Sequence, residues 1–339
     1  MLATRPIPAS ASNANRAPAV ANRAPFAVDR MTAAPNPRPP LEAEIMLAPE
    51  PAPPSLPKAF FISAHPRSGT NWLGCLMHLH RRVACWGEFT FHDVFAGVQQ
   101  LVTAPGRAAR VDPPKSVAVR GFQRFVRECM ASLEPRKPGV EWVGDHTPRR
   151  LRLFLPGAAY IVLFRDGRDV LVSWTFNALA RREAWVVPDA IKPMFESQLA
   201  AFDRGDNMLA AAALLDHEPW VRHVARQWAS HVRDDLDAIA RFDRGQLIGT
   251  VARIRYEELH ADLETQRRRL YAFLGLDSLD AEPVSDATRT STTFVKEEDP
   301  TSHYRRGVVG DWKDKLTPRA VRWVHDEAGT ELAELAYDT

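Results

Sequence analysis

Arg67-Ser68-Gly69-Thr70-Asn71 is the strongest local signal in this 339-residue sequence. A glycine-containing turn between a strand and a helix offers backbone N–H groups and a helix N-terminus to an anion. Arg67 adds a forked cation, and Ser68, Thr70 and Asn71 add side-chain donors. In composition this is a phosphate cradle. It is not a Walker A loop, which needs a Lys-Ser/Thr pair where Asn71-Trp72 stand. Taken alone, the same residues also suit an ordinary strand-to-helix turn with a capping hydroxyl.

Arg165-Asp166-Gly167-Arg168-Asp169 repeats the theme, with Ser173 eight residues after Arg165. An arginine at a strand's end and a serine on the first turns of the next helix can converge on one phosphate. The alternative is a salt-bridged surface turn in which Asp166 and Asp169 neutralise both arginines. A third basic stretch, His303-Tyr304-Arg305-Arg306-Gly307, precedes Trp312. Adjacent arginines in such a loop are commonly solvated. Three anion-ready loops together suggest a ligand with phosphates at both ends.

The elements around these turns follow one grammar. The apolar run 59–64, bounded by Pro57 and His65-Pro66, reads as a buried parallel strand, and 72–79 as the helix after it. The run 158–164 is a second strand, with its helix starting at Val170. A third strand is expected over 247–256, with a helix from Asp262 through Leu274. Trp220, Val224, Trp228, Val232, Leu236 and Ile239 have helical spacing over 219–242. Alternating strands and helices predict a single α/β domain over 58–339, a central parallel sheet flanked by helices. Its nucleotide site would be a P-loop-like strand–loop–helix. Residues 1–57, dominated by Ala and Pro, are expected to be a disordered tail.

Composition excludes several classes. The chain has 44 Lys+Arg against 42 Asp+Glu, so no basic surface for nucleic acid covers it. Cys75, Cys85 and Cys129 form no C-x-x-C pair, which argues against a disulfide scaffold or a structural zinc. No apolar run is long enough to span a membrane, and the N-terminus lacks a signal-peptide core, so a cytoplasmic location is expected.

Pro66-Arg67-Ser68-Gly69-Thr70-Asn71-Trp72 resembles the loop P-[KR]-S-G-T-x-W with which sulfotransferases hold the 5′-phosphosulfate of PAPS (3′-phosphoadenosine 5′-phosphosulfate). Phe164 to Trp174 resembles the family's 3′-phosphate motif, including the Arg-to-Ser spacing. Arg255-Tyr256-Glu257-Glu258-Leu259 with Phe273-Leu274-Gly275-Leu276 is similar to its Y-E-[DE]-L … F-L-G-L segment. Thr292-Thr293-Phe294 and Tyr304 to Lys313 resemble its T-x-F and R-K-G-x-x-G-D-W-K elements. The resemblance spans about 58–325 and implies a PAPS-dependent sulfotransferase that needs no metal.

The resemblance assigns roles by position. Arg67, Ser68, Gly69, Thr70 and Asn71 would hold the phosphosulfate, with Arg67 stabilising charge. Trp72 and Phe294 would sandwich the adenine, and Tyr256 would meet its edge. Arg165, Ser173 and Arg305 would bind the 3′-phosphate. Thr292, Arg306 and Gly307 complete the cofactor set as members of the T-x-F and R-K-G elements. Arg67 stands where the family often has Lys, and Gly144 replaces the Lys of its K-T-H-x-P segment. The dimer element is half present, with Lys313 and Thr317 fitting and Pro318 and Arg322 not, which leaves oligomeric state open.

Two residues qualify as the base that deprotonates the acceptor. His146 belongs to an H-x-P segment and has a suitable unperturbed pKa. Glu88, expected after the first helix, would need its pKa raised by burial. His146 is preferred on that ground. The acceptor is a small molecule, lipid or carbohydrate, and transfer goes to a hydroxyl or amine. Phe89, Phe91, Phe95, Phe176 and Trp185 suit either an apolar acceptor pocket or core. Arg181, Arg182 and Arg204 suit an acidic sugar or plain solvent. The competing class is a small-molecule kinase of related fold, which predicts a Walker lysine and metal-binding acidic residues.

Overall fold

The computed structural model describes residues 56–103, 115–132, 137–284, 298–303 and 305–337. The tail expected over 1–57 lies outside them but for its last two residues, as do Thr292, Phe294 and Tyr304.

In chain order the elements are β1 (Lys58–Ser63), α1 (Thr70–His78), β2 (Val83–Ala84), α2 (Phe91–Thr103), α3 (Lys115–Ala131), β3 (Trp142–Asp145) and β4 (Ala159–Phe164). Then follow α4 (Gly167–Arg181), α5 (Lys192–Asp203), α6 (Asn207–Leu215), α7 (Glu218–Asp243) and β5 (Thr250–Arg255). The chain closes with α8 (Tyr256–Ala261), α9 (Leu263–Phe273), α10 (Trp312–Lys315) and α11 (Pro318–Glu334). The five strands form one parallel sheet in the order β2-β3-β1-β4-β5. The expected α/β architecture is therefore present.

Apolar residues at every position of a strand imply burial on both faces, and the side-chain period of two sorts them. Phe61, Tyr160, Val162 and Phe164 face the larger core, under α2 to α7 and α11. Phe60, Ile62, Ile161 and Leu163 face the smaller one, under α1, α8 and α9. Phe60 pairs in register with Gly144. A Cβ on Gly144 would lie 2.1 Å from the Phe60 ring, so the space beside Gly144, where the resembled K-T-H-x-P segment has its lysine, is filled by a phenylalanine.

Two expectations are corrected. The third strand is shorter than 247–256: Tyr256 begins a helix, and a turn with Gly249 at φ 147 precedes Thr250. The helix after β4 begins at Gly167, ahead of Val170, with Asp166 as its cap. β1 lies between β3 and β4, so the chain leaves in opposite directions after β1 and β4. That switch point opens a crevice at the carboxyl ends of the two strands, where α/β sheets bind ligands.

Candidate active site

A cleft of about 310 Å³ occupies this crevice. The segments after β1, β2, β3 and β4, the first turns of α1, α4 and α8, and His303 with Arg305 to Val308 line it. Gly69 caps α1 with φ 100, a left-handed conformation that glycine adopts without strain. A side chain there would also strike the Tyr256 ring at 2.8 Å. Arg67 is left-handed as well, at φ 73, in a residue type that rarely is.

The first loop brings Arg67, Gly69, Thr70, Asn71 and Trp72 to the cleft. Ser68 is 1% exposed, and its hydroxyl has no hydrogen-bond partner among the described residues. Trp72 is buried and packs edge-on against Tyr256, ring centroids 5.3 Å apart. Arg67 reaches across the cleft. Its Nε–H donates to Ser173 Oγ at 3.2 Å, which joins two residues expected at opposite ends of the donor.

Arg165 is buried over the Tyr256 ring, 4.4 Å from its centroid. It donates to the carbonyl oxygens of Arg67 at 3.0 Å and Val308 at 2.9 Å, while its Nε has no partner. Tyr256 donates its hydroxyl to the Gly307 carbonyl at 2.9 Å, and burial raises its pKa. Arg305 is buried against the Phe176 ring and ion-paired with Glu298 and Asp311, its Nε also unpartnered. Arg306 donates to Asp311 at 2.7 Å, and both Arg306 and Gly307 line the cleft.

The surface-turn alternative for the second loop holds for one arginine only. Asp166 takes Arg168 in a buried pair at 2.8 Å, and Arg168 stacks on Trp312. Asp169 instead accepts the Gly310 and Trp312 N–H groups at 2.7 and 3.0 Å, which pins the loop bearing Arg305 to α4.

Asp145 organises the opposite wall. Its Oδ1 accepts from the Phe89 N–H at 3.2 Å, the Thr147 N–H at 3.0 Å and the Thr147 hydroxyl at 2.7 Å. The turns carrying Glu88 and His146 are thereby stitched together. Glu88 lines the cleft but is exposed, so the burial expected of it as a base is not present. His146 is 9% exposed, does not line it, and buries an unpartnered Nδ1. A Cβ on Gly74 would lie 2.6 Å from its ring. Burial lowers the His146 pKa, against the raising effect of Glu88 and Asp145.

Residues 57–335 match the family model of the sulfotransferase domain. The chain belongs to that family. It is a PAPS-dependent sulfotransferase, and membership disfavours the kinase alternative. No curated protein matches the sequence. Among solved structures, the sulfotransferase domain of the Synechococcus PCC 7002 olefin synthase is 15% identical, with a TM-score of 0.42, over 84% of this chain and 96% of that one. A mouse sulfotransferase complexed with PAP is 18% identical, TM-score 0.38, over 81% and 84%. A retinol dehydratase in complex with androsterone and inactive cofactor PAP is 15% identical, TM-score 0.41, over 82% of each chain.

The sulfotransferase cleft also holds residues that the sequence did not single out. Thr90, Thr147, Arg149, Asn177 and Glu183 line it, beside His303 of the third basic stretch. Glu183 follows the left-handed C-cap of α4, and burial raises its pKa while Arg181 and Arg67 lower it. No motif flags these positions, since Asn177 sits on α4 and the others in loops, and each meets the cleft only through long-range folding. Phe91, Phe95 and Phe176 are core at 1%, 5% and 3% exposure, and Phe89 stacks on Phe91.

Proposed function

We propose that this sulfotransferase moves the sulfuryl group of PAPS to a hydroxyl of a polar, polyhydroxylated small molecule, with Glu88 as the base. The single observation that carries the donor assignment is a set of orphaned polar groups. Arg165 Nε and Arg305 Nε, of two cleft-lining arginines, and Ser68 Oγ, between cleft-lining Arg67 and Gly69, are buried without partners among the described residues. Buried donors left unpaired are costly, and the oxygens of a phosphosulfate and a 3′-phosphate would satisfy them. Bound PAPS supplies an activated S–O bond and a phosphate leaving group.

The protein's part is positioning and charge. The amides and hydroxyls of 68–71 would hold the phosphosulfate, with Arg67 opposing charge on the bridging oxygen. Arg165, Ser173 and Arg305, with Arg306 and Gly307 beside them, would hold the 3′-phosphate. Tyr256 and Trp72 would bound the adenine. Glu88 would take the acceptor proton as the new O–S bond forms. The bridging S–O bond then breaks with its electron pair on phosphate, which leaves adenosine 3′,5′-bisphosphate and a sulfate ester. No metal is required in this scheme, because the sulfuryl group carries less charge than a phosphoryl group. A cytoplasmic setting is part of this reading, and among the described residues no helix is long and apolar enough to cross a membrane.

Support for Glu88 over His146 is positional. A base must reach the acceptor proton, and Glu88 lines the cleft while His146 does not and packs its ring against Gly74. Support for a polar acceptor comes from the wall the donor leaves over. Glu88, Thr90, Thr147, Arg149, Asn177 and Glu183 are polar, with Trp174 as an aromatic platform. The phenylalanines that would favour a phenol or sterol are spent in the core.

Labelled PAPS offered with sugars, phenols and sterols tests both parts. Sugars should be labelled first. Glu88→Gln should lower kcat about 10²–10⁴-fold, with donor affinity little changed. A loss of that size in His146→Ala but not in Glu88→Gln would transfer the role to His146.

A further inference from the structure

His303 lies just before the Tyr304–Lys313 stretch that carries the family resemblance, and no role has been given to it. Its half-buried side chain stands in the cleft wall opposite the phosphosulfate loop. Arg67 Nη1 lies 3.0 Å from its Nδ1 and 3.1 Å from its Nε2. Arg67 Nη2 donates to the His303 carbonyl oxygen at 2.5 Å. Arg181 Nη2 approaches the same ring, 3.4 Å from Nδ1.

A histidine between two guanidinium groups is stable only as the neutral ring, which offers a lone pair in place of a third positive charge. Burial first, then Arg67 and Arg181, lower its pKa to about 4. Arg67 meanwhile holds a left-handed backbone that a non-glycine residue keeps only when its surroundings over-determine it. An arginine in place of lysine also extends further and has a plane to be oriented. Ser173 fixes Nε, and His303 engages both terminal nitrogens.

We propose that His303 is a positioning residue for Arg67: its ring and carbonyl orient the guanidinium across the cleft and tie the phosphosulfate loop to the loop bearing Arg305. The proposal rests on the reading of Arg67 as the residue that opposes charge on the leaving phosphate. His303 acts through Arg67 and touches no reacting atom. Its removal therefore costs nothing further once Arg67 is gone.

A double-mutant cycle on kcat for PAPS turnover makes the test, since interaction energies isolate acting through a partner from acting alone. His303→Ala should lower kcat about 10- to 100-fold, as a small misplacement of a charge-stabilising group does, with acceptor KM within about twofold. His303→Leu, which keeps the volume but offers no acceptor, should behave like His303→Ala. His303→Gln, which restores an acceptor for the guanidinium, should recover most of the rate. His303→Lys, which adds charge between two arginines, should fall below His303→Ala. The Arg67→Ala/His303→Ala double variant should be no slower than Arg67→Ala. Additive losses, or unchanged kcat with only a lower Tm, would overturn the role of His303. Calorimetry of the wild type with adenosine 3′,5′-bisphosphate separates the two levels. No binding there would overturn the donor reading and this proposal with it, whereas binding plus additive losses overturns the role of His303 alone.

Discussion

Gly144→Ala probes the packing that separates this chain from the lysine-bearing segment it resembles. A Cβ at Gly144 would lie 2.1 Å from Phe60 Cζ and 2.6 Å from Cε1 and Cε2. Carbon atoms pack at about 3.5–4.0 Å, so the ring must retreat by roughly 1.5 Å. Phe60 has no room for that, being 0% exposed and edge-packed on Trp142 at 6.5 Å. Gly144 does not have a positive φ, so the cost is steric and not conformational. Overpacking of this kind costs about 1–3 kcal/mol, against a gain of about 0.5–1 kcal/mol from replacing glycine within a strand. The expected net loss is about 1–2 kcal/mol, read as a lower urea midpoint at unchanged slope. Phe60→Leu removes the ring atoms that clash. The double variant should therefore be more stable than the sum of the single losses implies. Gly144→Ala at wild-type stability, or additive losses, would refute the steric argument.

Other outcomes follow from the same contacts. Below pH 6.5 the unfolded chain takes up a proton at His65 that the native protein, with that pKa lowered to about 3 by burial and then His231, refuses. Stability should thus be level above pH 6.5 and fall towards pH 3, with His65→Asn flattening the drop at pH 5 by about 2 kcal/mol. Denaturant titrations at each pH measure it. Asp169→Asn weakens the hold on the Gly310 and Trp312 amides, so limited proteolysis should cut the 305–312 loop faster and donor affinity should fall about tenfold. Deleting residues 1–56, which are rich in Pro and Ala and carry none of the motifs, should leave Tm and kcat/KM within about twofold, checked by calorimetry and steady-state assay.

The parts legible in the sequence are those whose cause is local. β1 and β4 are continuous apolar runs that stop at polar turns, so both strands and the loops after them could be read directly. β2 has two residues, and β3 contains Gly144 and Asp145, too little pattern for a periodicity to register. α2, α3, α5 and α6 lie in stretches without motif, and their apolar faces acquire meaning only against the sheet. Arg67, Arg165, Arg305 and Arg306 stood out because cations in turns are visible one residue at a time. Which residues meet across the fold did not. Asp169 meets Gly310 across 141 positions, and Arg67 meets His303 across 236. Glu88 and His146 show the same limit: unperturbed pKa values favoured histidine, whereas access to the cleft, a property of packing, favours glutamate.

The central claim is that one cleft binds a nucleotide with phosphate at both its 5′ and 3′ ends. Isothermal titration of the purified protein with adenosine 3′,5′-bisphosphate, beside adenosine 5′-phosphate and in the presence of a chelator, tests it most directly. The 3′-phosphate should tighten binding at least about 30-fold, a difference of about 2 kcal/mol for pairing Arg165 and Arg305 with a dianion, and Arg165→Ala should erase most of it. Equal affinity for the two nucleotides would contradict the account.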